Sequence, residues 1–252
     1  MKKYLSVFGL FARGSVYKVL ITTVLMAIAE FIVFYHKLKY AIRLSAEFSM
    51  EHLETIIDQS MINWIFPLCA LIITLTLFIT GSENNNAKTG YTIRRLSISE
   101  REVFFCQTIY NILTYIFLWA VQAVTVFGLC VLYTNSAPTD AVGNQTIFLA
   151  FYRNELLHSI IPISDMSIWI RNIFIAIGLG FAAAEFPYKQ RRHKNSITAI
   201  ALLLYIIVFF SSDIGNFINS FMVSFVSICI TAESLYTVFI KDEEEIIENE
   251  TK

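Results

Sequence analysis

The sequence predicts an all-α, polytopic membrane protein with six transmembrane helices, an N-terminal interfacial helix and amphipathic helices in its outer loops. Composition is the first reason. The chain is 56 % hydrophobic and only 15 % charged, whereas average usage is about 45–50 % apolar and about 25 % charged. Charge placement is the second. The ionic residues gather in short patches between long apolar runs, an arrangement that a soluble core does not require. Run length is the third, because about 18 apolar residues are enough to cross a hydrocarbon layer roughly 30 Å thick.

Residues 1–15 come first. Lys2 and Lys3 precede a short apolar stretch from Tyr4 to Phe11, and Arg13 breaks the apolar pattern soon after it. The stretch is too short for the apolar region of a secretory signal with a small-residue cleavage site. It reads as an amphipathic helix lying in the inner interface. Spans come next at 16–35, 62–80, 106–133, 166–184, 196–211 and 217–240, in a single six-span domain covering 1–252. Nothing breaks a helix over residues 100–133, which at 1.5 Å per residue reach about 50 Å. That run must tilt or project into water. The fifth run is short.

Two loops are patterned. Residues 37–60 set Leu38, Ile42, Phe48, Leu53, Ile56 and Ile57 among charges, and residues 146–161 carry a similar stripe stopped by Pro162. Both read as amphipathic helices on the outer interface, suited to capping the bundle or to forming a gate. Residues 241–252 form an acidic tail, which reads as a solvated end.

Basic residues orient the spans. One set of surfaces holds Lys2, Lys3, Arg13, Lys18, Lys88, Arg94, Arg95, Arg101, Lys189, Arg191, Arg192, Lys194, Lys241 and Lys252. The opposite set holds only Lys37, Lys39, Arg43 and Arg153. Both termini are therefore expected in the cytoplasm and the chain in the inner membrane of a bacterium. Tyr35, Trp64, Tyr133 and Trp169 fall at the outer boundary and Tyr17 and Tyr188 at the inner one, as interfacial aromatics should.

Several chemistries are excluded. Cys69, Cys106, Cys130 and Cys229 lie in apolar runs without CxxC spacing, and the four histidines are scattered, so no metal site is expected. Residues 9–15, GLFARGS, lack the lysine and the preceding strand of a phosphate loop. No nucleophile elbow or paired carboxylates stand out, and no basic stripe suggests nucleic acid. An intramembrane enzyme would need acids and histidines facing one another within the spans.

The informative segment is 91–105, YTIRRLSISEREVFF. Ser99 can accept from the backbone N–H of Glu102, and Glu102 can reach back to the N–H of Ser99, which completes a capping box. Ile98 and Val103 occupy the positions of a hydrophobic staple around it. Arg94 and Arg95 place fixed positive charge just ahead. A capped helix start of this kind anchors a span, and it can also serve as a rigid knob for a soluble motor.

The pattern Y-x-x-R-R-L-x-I-S-x-R-E-V leading directly into the third span resembles the permease subunits of type-2 ATP-binding cassette exporters. The likeness is carried by Arg95, Leu96, Ser97, Ile98, Ser99, Glu100, Arg101 and Glu102, with Arg94 beside them. The six-span layout and cytoplasmic termini also fit. The resemblance implies that residues 81–102 form a cytoplasmic coupling loop docking on a separate ATPase subunit. It implies no cofactor on this chain, with ATP and Mg in the partner, and a pathway completed by a second permease copy or a related permease. The wider fold often places re-entrant helices between the fifth and sixth spans, whereas residues 211–217 leave almost no room here. The substrates it implies are antimicrobial peptides, drugs or lipid-like amphiphiles. A non-transporting sensor or assembly partner is the competing function class, and a stoichiometric ATPase partner separates the two.

Polar residues within spans are the remaining candidates, because charge in lipid is costly and normally faces protein or water. Glu30 in the first span and Arg171 in the fourth lie at matching depth and are expected to pair. Gln122 in the third span and Glu233 in the sixth are expected to join helices.

Overall fold

The computed structural model describes residues 2–44, 51–81, 98–138, 142–192, 197–210 and 217–241. Every regular element among them is helical. Five helices are long and apolar enough to cross a membrane, over Lys3–Leu44, Ile62–Thr80, Glu100–Ser136, Met166–Gln190 and Phe217–Ile240, and Thr198–Phe209 is a shorter apolar helix. The fold is that of a polytopic helical membrane protein.

Helix α1 runs unbroken over Lys2–Leu44, 43 residues. The interfacial helix expected over 1–15 is therefore not a separate element, and residues 37–44, expected in a loop, are its last turns. The reason is one continuous buried stripe: Val7, Phe11, Ser15, Val19, Thr23, Met26, Glu30, Phe34, Leu38 and Ala41. Their spacing of three and four keeps one face on the bundle throughout, and that packing outweighs the roughly 1 kcal/mol that a glycine such as Gly9 or Gly14 costs in a helix. At 1.5 Å per residue α1 measures about 65 Å, twice the hydrocarbon thickness.

Helix α2 spans Leu53–Gln59 and α3 spans Ile62–Gly81, with Pro67 inside it. Between them Met61 takes a left-handed backbone, φ 57°. Helix α4 spans Glu100–Ser136, α5 Thr146–Arg153 and α6 Glu155–Ile160. The stripe read over 146–161 is thus two short helices. They divide at Asn154, whose side chain accepts from the backbone N–H of Leu157 and starts the second. Helix α7 spans Met166–Gln190, α8 Thr198–Phe209 and α9 Phe217–Tyr236, which continues as a π-helical turn, Thr237–Lys241.

Helices α4 and α7 form the centre. Helix α7 packs on α4, α9, α3 and α8, while α1 packs on α3 and α4. Small residues make this possible, as they do between helices in membranes. A Cβ on Gly180 would stand 2.3 Å from Ile112 Cγ1 and 3.2 Å from its backbone nitrogen, and one on Gly178 would stand 3.0 Å from Ser227 Cβ. Ala182, Ala183 and Ala184 continue the small face and are fully buried. The outward faces carry Ile21, Leu25, Val124, Phe127, Ile218 and Phe221, all exposed. So broad an apolar surface would be a liability in water and matches hydrocarbon.

The two ends of the bundle differ. Tyr4, Ser99, Lys189, Arg191 and Phe239 gather at one, which we call the basic end. Helices α2, α5 and α6 lie across the other, the covered end.

Candidate functional site: a capped helix start at the basic end

The first turn of α4 is the most elaborated place at the basic end. Ser99 Oγ accepts from Glu102 N at 3.3 Å, and Glu102 Oε2 accepts from Ser99 N at 3.1 Å. The capping box thus forms as its spacing requires. Val103 is fully buried and Ile98 packs against the core to which it belongs. Arg94, Arg95, Leu96 and Ser97 lie outside the described residues.

The box is tied to three other parts of the chain. Tyr4 Oη, in the first turn of α1, donates to Glu102 Oε1 at 2.6 Å. Arg101 donates to the carbonyl of Phe239 at 3.3 Å, and its guanidinium carbon stands 5.5 Å from the centre of that ring. Arg191, just past α7, is buried and lies 3.6 Å from Glu100 Oε2. Beneath the box, Phe104, Ala184, Tyr188 and Val238 form a small cluster of their own. Phe104 meets Tyr188 edge-on at 5.6 Å. Fully buried Glu185 pairs with Lys189 one turn on and accepts from Ser234 Oγ at 2.8 Å. Glu100, Arg101 and Glu102 hold the helix start in place, yet each keeps part of its surface open.

The intramembrane residues are placed differently from the expectation. Glu30 is fully buried and accepts from Gln122 Nε2 at 3.1 Å, joining α1 to α4. Arg171, also buried, donates through Nε and Nη2 to Asn172 Oδ1 at 3.4 and 3.3 Å and lies 5.2 Å from the centre of the Phe210 ring. No ion pair joins Glu30 to Arg171 among the described residues, which corrects the pairing expected from depth. Equal depth does not put two residues on facing sides of a bundle: Glu30 looks from α1 into α4, and Arg171 looks toward the end of α8. Glu233 is exposed, so it does not join helices; its neighbour Ser234 does.

A cavity of about 520 Å³ lies among α3, α4, α7 and α8. The Gly180–Ile112 approach closes α4 on α7 toward the basic end. Toward the covered end the same two helices meet through Trp119 and Trp169, edge to face at 5.4 Å. Both indoles and Asn172 are bonded to the segment leading into α7. Trp119 Nε1 donates to Ile160 O at 3.0 Å, Trp169 Nε1 to Pro162 O at 2.8 Å, and Asn172 Nδ2 to Ser159 O at 2.9 Å.

Sequence reasoning missed Glu185, Tyr4 and Asn172. Glu185 had a signal, since it is an acid one residue past the expected end of an apolar run. Tyr4 and Asn172 had none, because their roles depend on partners far away in the chain. Among the described residues no three His, Cys, Asp or Glu side chains converge as metal ligands would.

The fold and this site together define a polytopic helical membrane protein with a braced helix start at one end. Comparison with protein families, curated proteins and solved structures finds no match for the chain.

Proposed function

We propose that this chain is the permease subunit of an ATP-driven exporter of the type-2 ATP-binding cassette class, with the ATPase on a separate cytoplasmic subunit. The observation that carries the reading is the braced start of α4. A helix that transmits force must not fray where the force enters it. Its capping box leaves no loose first turn, and three tethers join that turn to α1, to the end of α7 and to the turn after α9. The helix is 37 residues long, about 55 Å. Near its other end Tyr133 donates to Glu51 O at 3.0 Å, beside α2. In this reading a push at Ser99 reaches the covered end along one unbroken helix.

In this reading the basic end is cytoplasmic and the covered end faces outward, in a bacterial inner membrane. Helix α8 makes the fifth of six crossings. Its 12 residues rise about 18 Å, less than the hydrocarbon thickness. Arg94 and Arg95, just ahead of α4 in the sequence, add positive charge to the docking segment in this reading. The pathway is completed by a second permease, and ATP and Mg belong to the partner. The cargo is an amphipathic peptide, drug or lipid-like compound.

The test is purification of the full chain from its native membrane in a mild detergent. An ATP-hydrolysing subunit in fixed stoichiometry is expected, with its activity altered by the chain. Purification with no such subunit, at full recovery of folded chain, would leave a sensor or assembly role instead. Orientation is tested in a cysteine-free version, where a single cysteine at Lys88 or Arg192 should react only from the cytoplasmic side.

A further inference from the structure

We infer that the cavity among α3, α4, α7 and α8 is a binding site for an amphiphile with one apolar tail and an anionic head group. Such binding does not depend on the permease reading, since a sensor would hold the same ligand. Three observations carry it.

The first is size and lining. About 520 Å³ falls within the roughly 300–1,000 Å³ of small-molecule sites. The walls are almost wholly apolar, from Phe66, Ile116, Ala176, Leu203 and their neighbours. Such walls hold a hydrocarbon tail and give a sugar or a free ion no partners.

The second is access. Ile116 on α4 and Ile173 on α7 line the cavity and are also exposed, at 44 % and 56 %. Both lie on the apolar flank of the bundle, so a tail can arrive from hydrocarbon without crossing water.

The third is charge. Phe210 and Asn172 both line the cavity, and Arg171 rests against both. No carboxylate lies within ion-pair distance of Arg171 among the described residues. A buried guanidinium without a counter-charge is costly, and the missing charge can come from a ligand. The hydrogen bonds show where. Asn172 Oδ1 is taken by Arg171, and one hydrogen of Nδ2 goes to Ser159 O. The second Nδ2 hydrogen is left for a head group. An anion bonded there sits one side chain from the guanidinium, at low dielectric, where opposite charges attract strongly. A cationic amphiphile would meet repulsion at the same corner.

The experiment uses the full chain in an uncharged maltoside detergent. Trp64, exposed and outside the cavity, is replaced by Phe. Trp119 and Trp169 then report alone, because the chain has 3 tryptophans. Dibromostearate, which quenches indole on contact, should quench them saturably, and plain stearate should reverse the effect. Arg171→Gln should weaken this binding by at least about tenfold, because it removes the nearby opposite charge from a site of low dielectric. Arg171→Lys should weaken it less. Ala176→Phe, which fills the cavity and leaves the guanidinium intact, should abolish it. Equal quenching by the brominated amine or the neutral methyl ester would overturn the proposal and leave a crevice that takes any chain. Unchanged binding in folded Arg171→Gln would also overturn it. Should that variant not fold, retained binding in Ala176→Phe decides against the proposal by itself.

Discussion

The two ends of the bundle are held by different chemistry. At the basic end most ties run from side chain to side chain: Tyr4 donates to Glu102, Arg191 lies 3.6 Å from Glu100, and Glu185 pairs with Lys189 and accepts from Ser234, while Arg101 reaches the Phe239 carbonyl. At the covered end side chains mostly bond to backbone. Trp119, Trp169, Asn172, Tyr133 and Asn154 donate to the carbonyls of Ile160, Pro162, Ser159, Glu51 and Glu54. Any residue supplies a carbonyl, so these contacts tolerate change in their acceptors and are sensitive only in their donors, whereas Asn154–Asp58, Arg153–Glu54 and His158–Asp165 join side chains there. The side-chain pairs of the basic end are sensitive on both sides of each contact. Such an end suits a part that must keep one shape under load, while a cover held through carbonyls can be released and re-seated.

Substitutions can break or sharpen that contrast. The largest effect belongs to the close approach of α4 and α7. Gly180→Leu drives a side chain into Ile112, including its backbone, and should cost about 2–3 kcal/mol. It should lower the thermal midpoint in detergent, read by reaction of buried Cys69 and Cys130 with a thiol dye. At the basic end, Glu185→Leu strands Lys189 and Ser234 and should cost about 1–3 kcal/mol. A smaller loss than that of Trp119→Phe would erase the distinction between the ends. Ser99→Ala removes the cap of α4 and should cost about 0.5–2 kcal/mol, with coupling to the ATPase falling more than membrane insertion. At the covered end Trp119→Phe keeps an aromatic ring, loses the smaller ring of the indole and loses one bond to Ile160 O, the bond being worth about 1 kcal/mol.

The smallest effect concerns Asp58 on α2. Partial burial pushes its carboxyl up from its ordinary value, Asn154 donating at 2.7 Å pulls it back, and Glu54 raises it further. The folded state therefore holds this proton more tightly than the unfolded state. The resulting stability is fully present below the unfolded value and is lost as pH rises through the folded one. Asp58→Asn still accepts from Asn154, should change stability by less than about 0.5 kcal/mol, and should remove that pH dependence. A melting curve of the parent against pH, compared with the variant, checks the sign.

How much of the molecule was legible in the sequence depends on the range of each interaction. The capping box involves residues three apart, so Ser99 and Glu102 announced it. Long apolar runs announced α3, α4, α7 and α9 for the same reason. The length of α1 was hidden because Arg13 and Lys37 suggested boundaries, although the buried stripe ignores both. The division at Asn154 was hidden inside a continuous apolar pattern. Glu30 and Arg171 show the harder limit. Depth along each span can be counted in residues, but the direction a residue faces depends on how helices pack, and the small face of α7 settles that only in three dimensions.

The central claim is that the basic end receives an ATPase subunit. A photo-crosslinking amino acid placed at Arg95 tests it in the native membrane, against the same group placed at Tyr152 in α5. The account predicts that the ATPase subunit is captured from Arg95 and not from Tyr152. Capture from Tyr152, or capture of that subunit from neither position while it co-purifies with the chain, would contradict it.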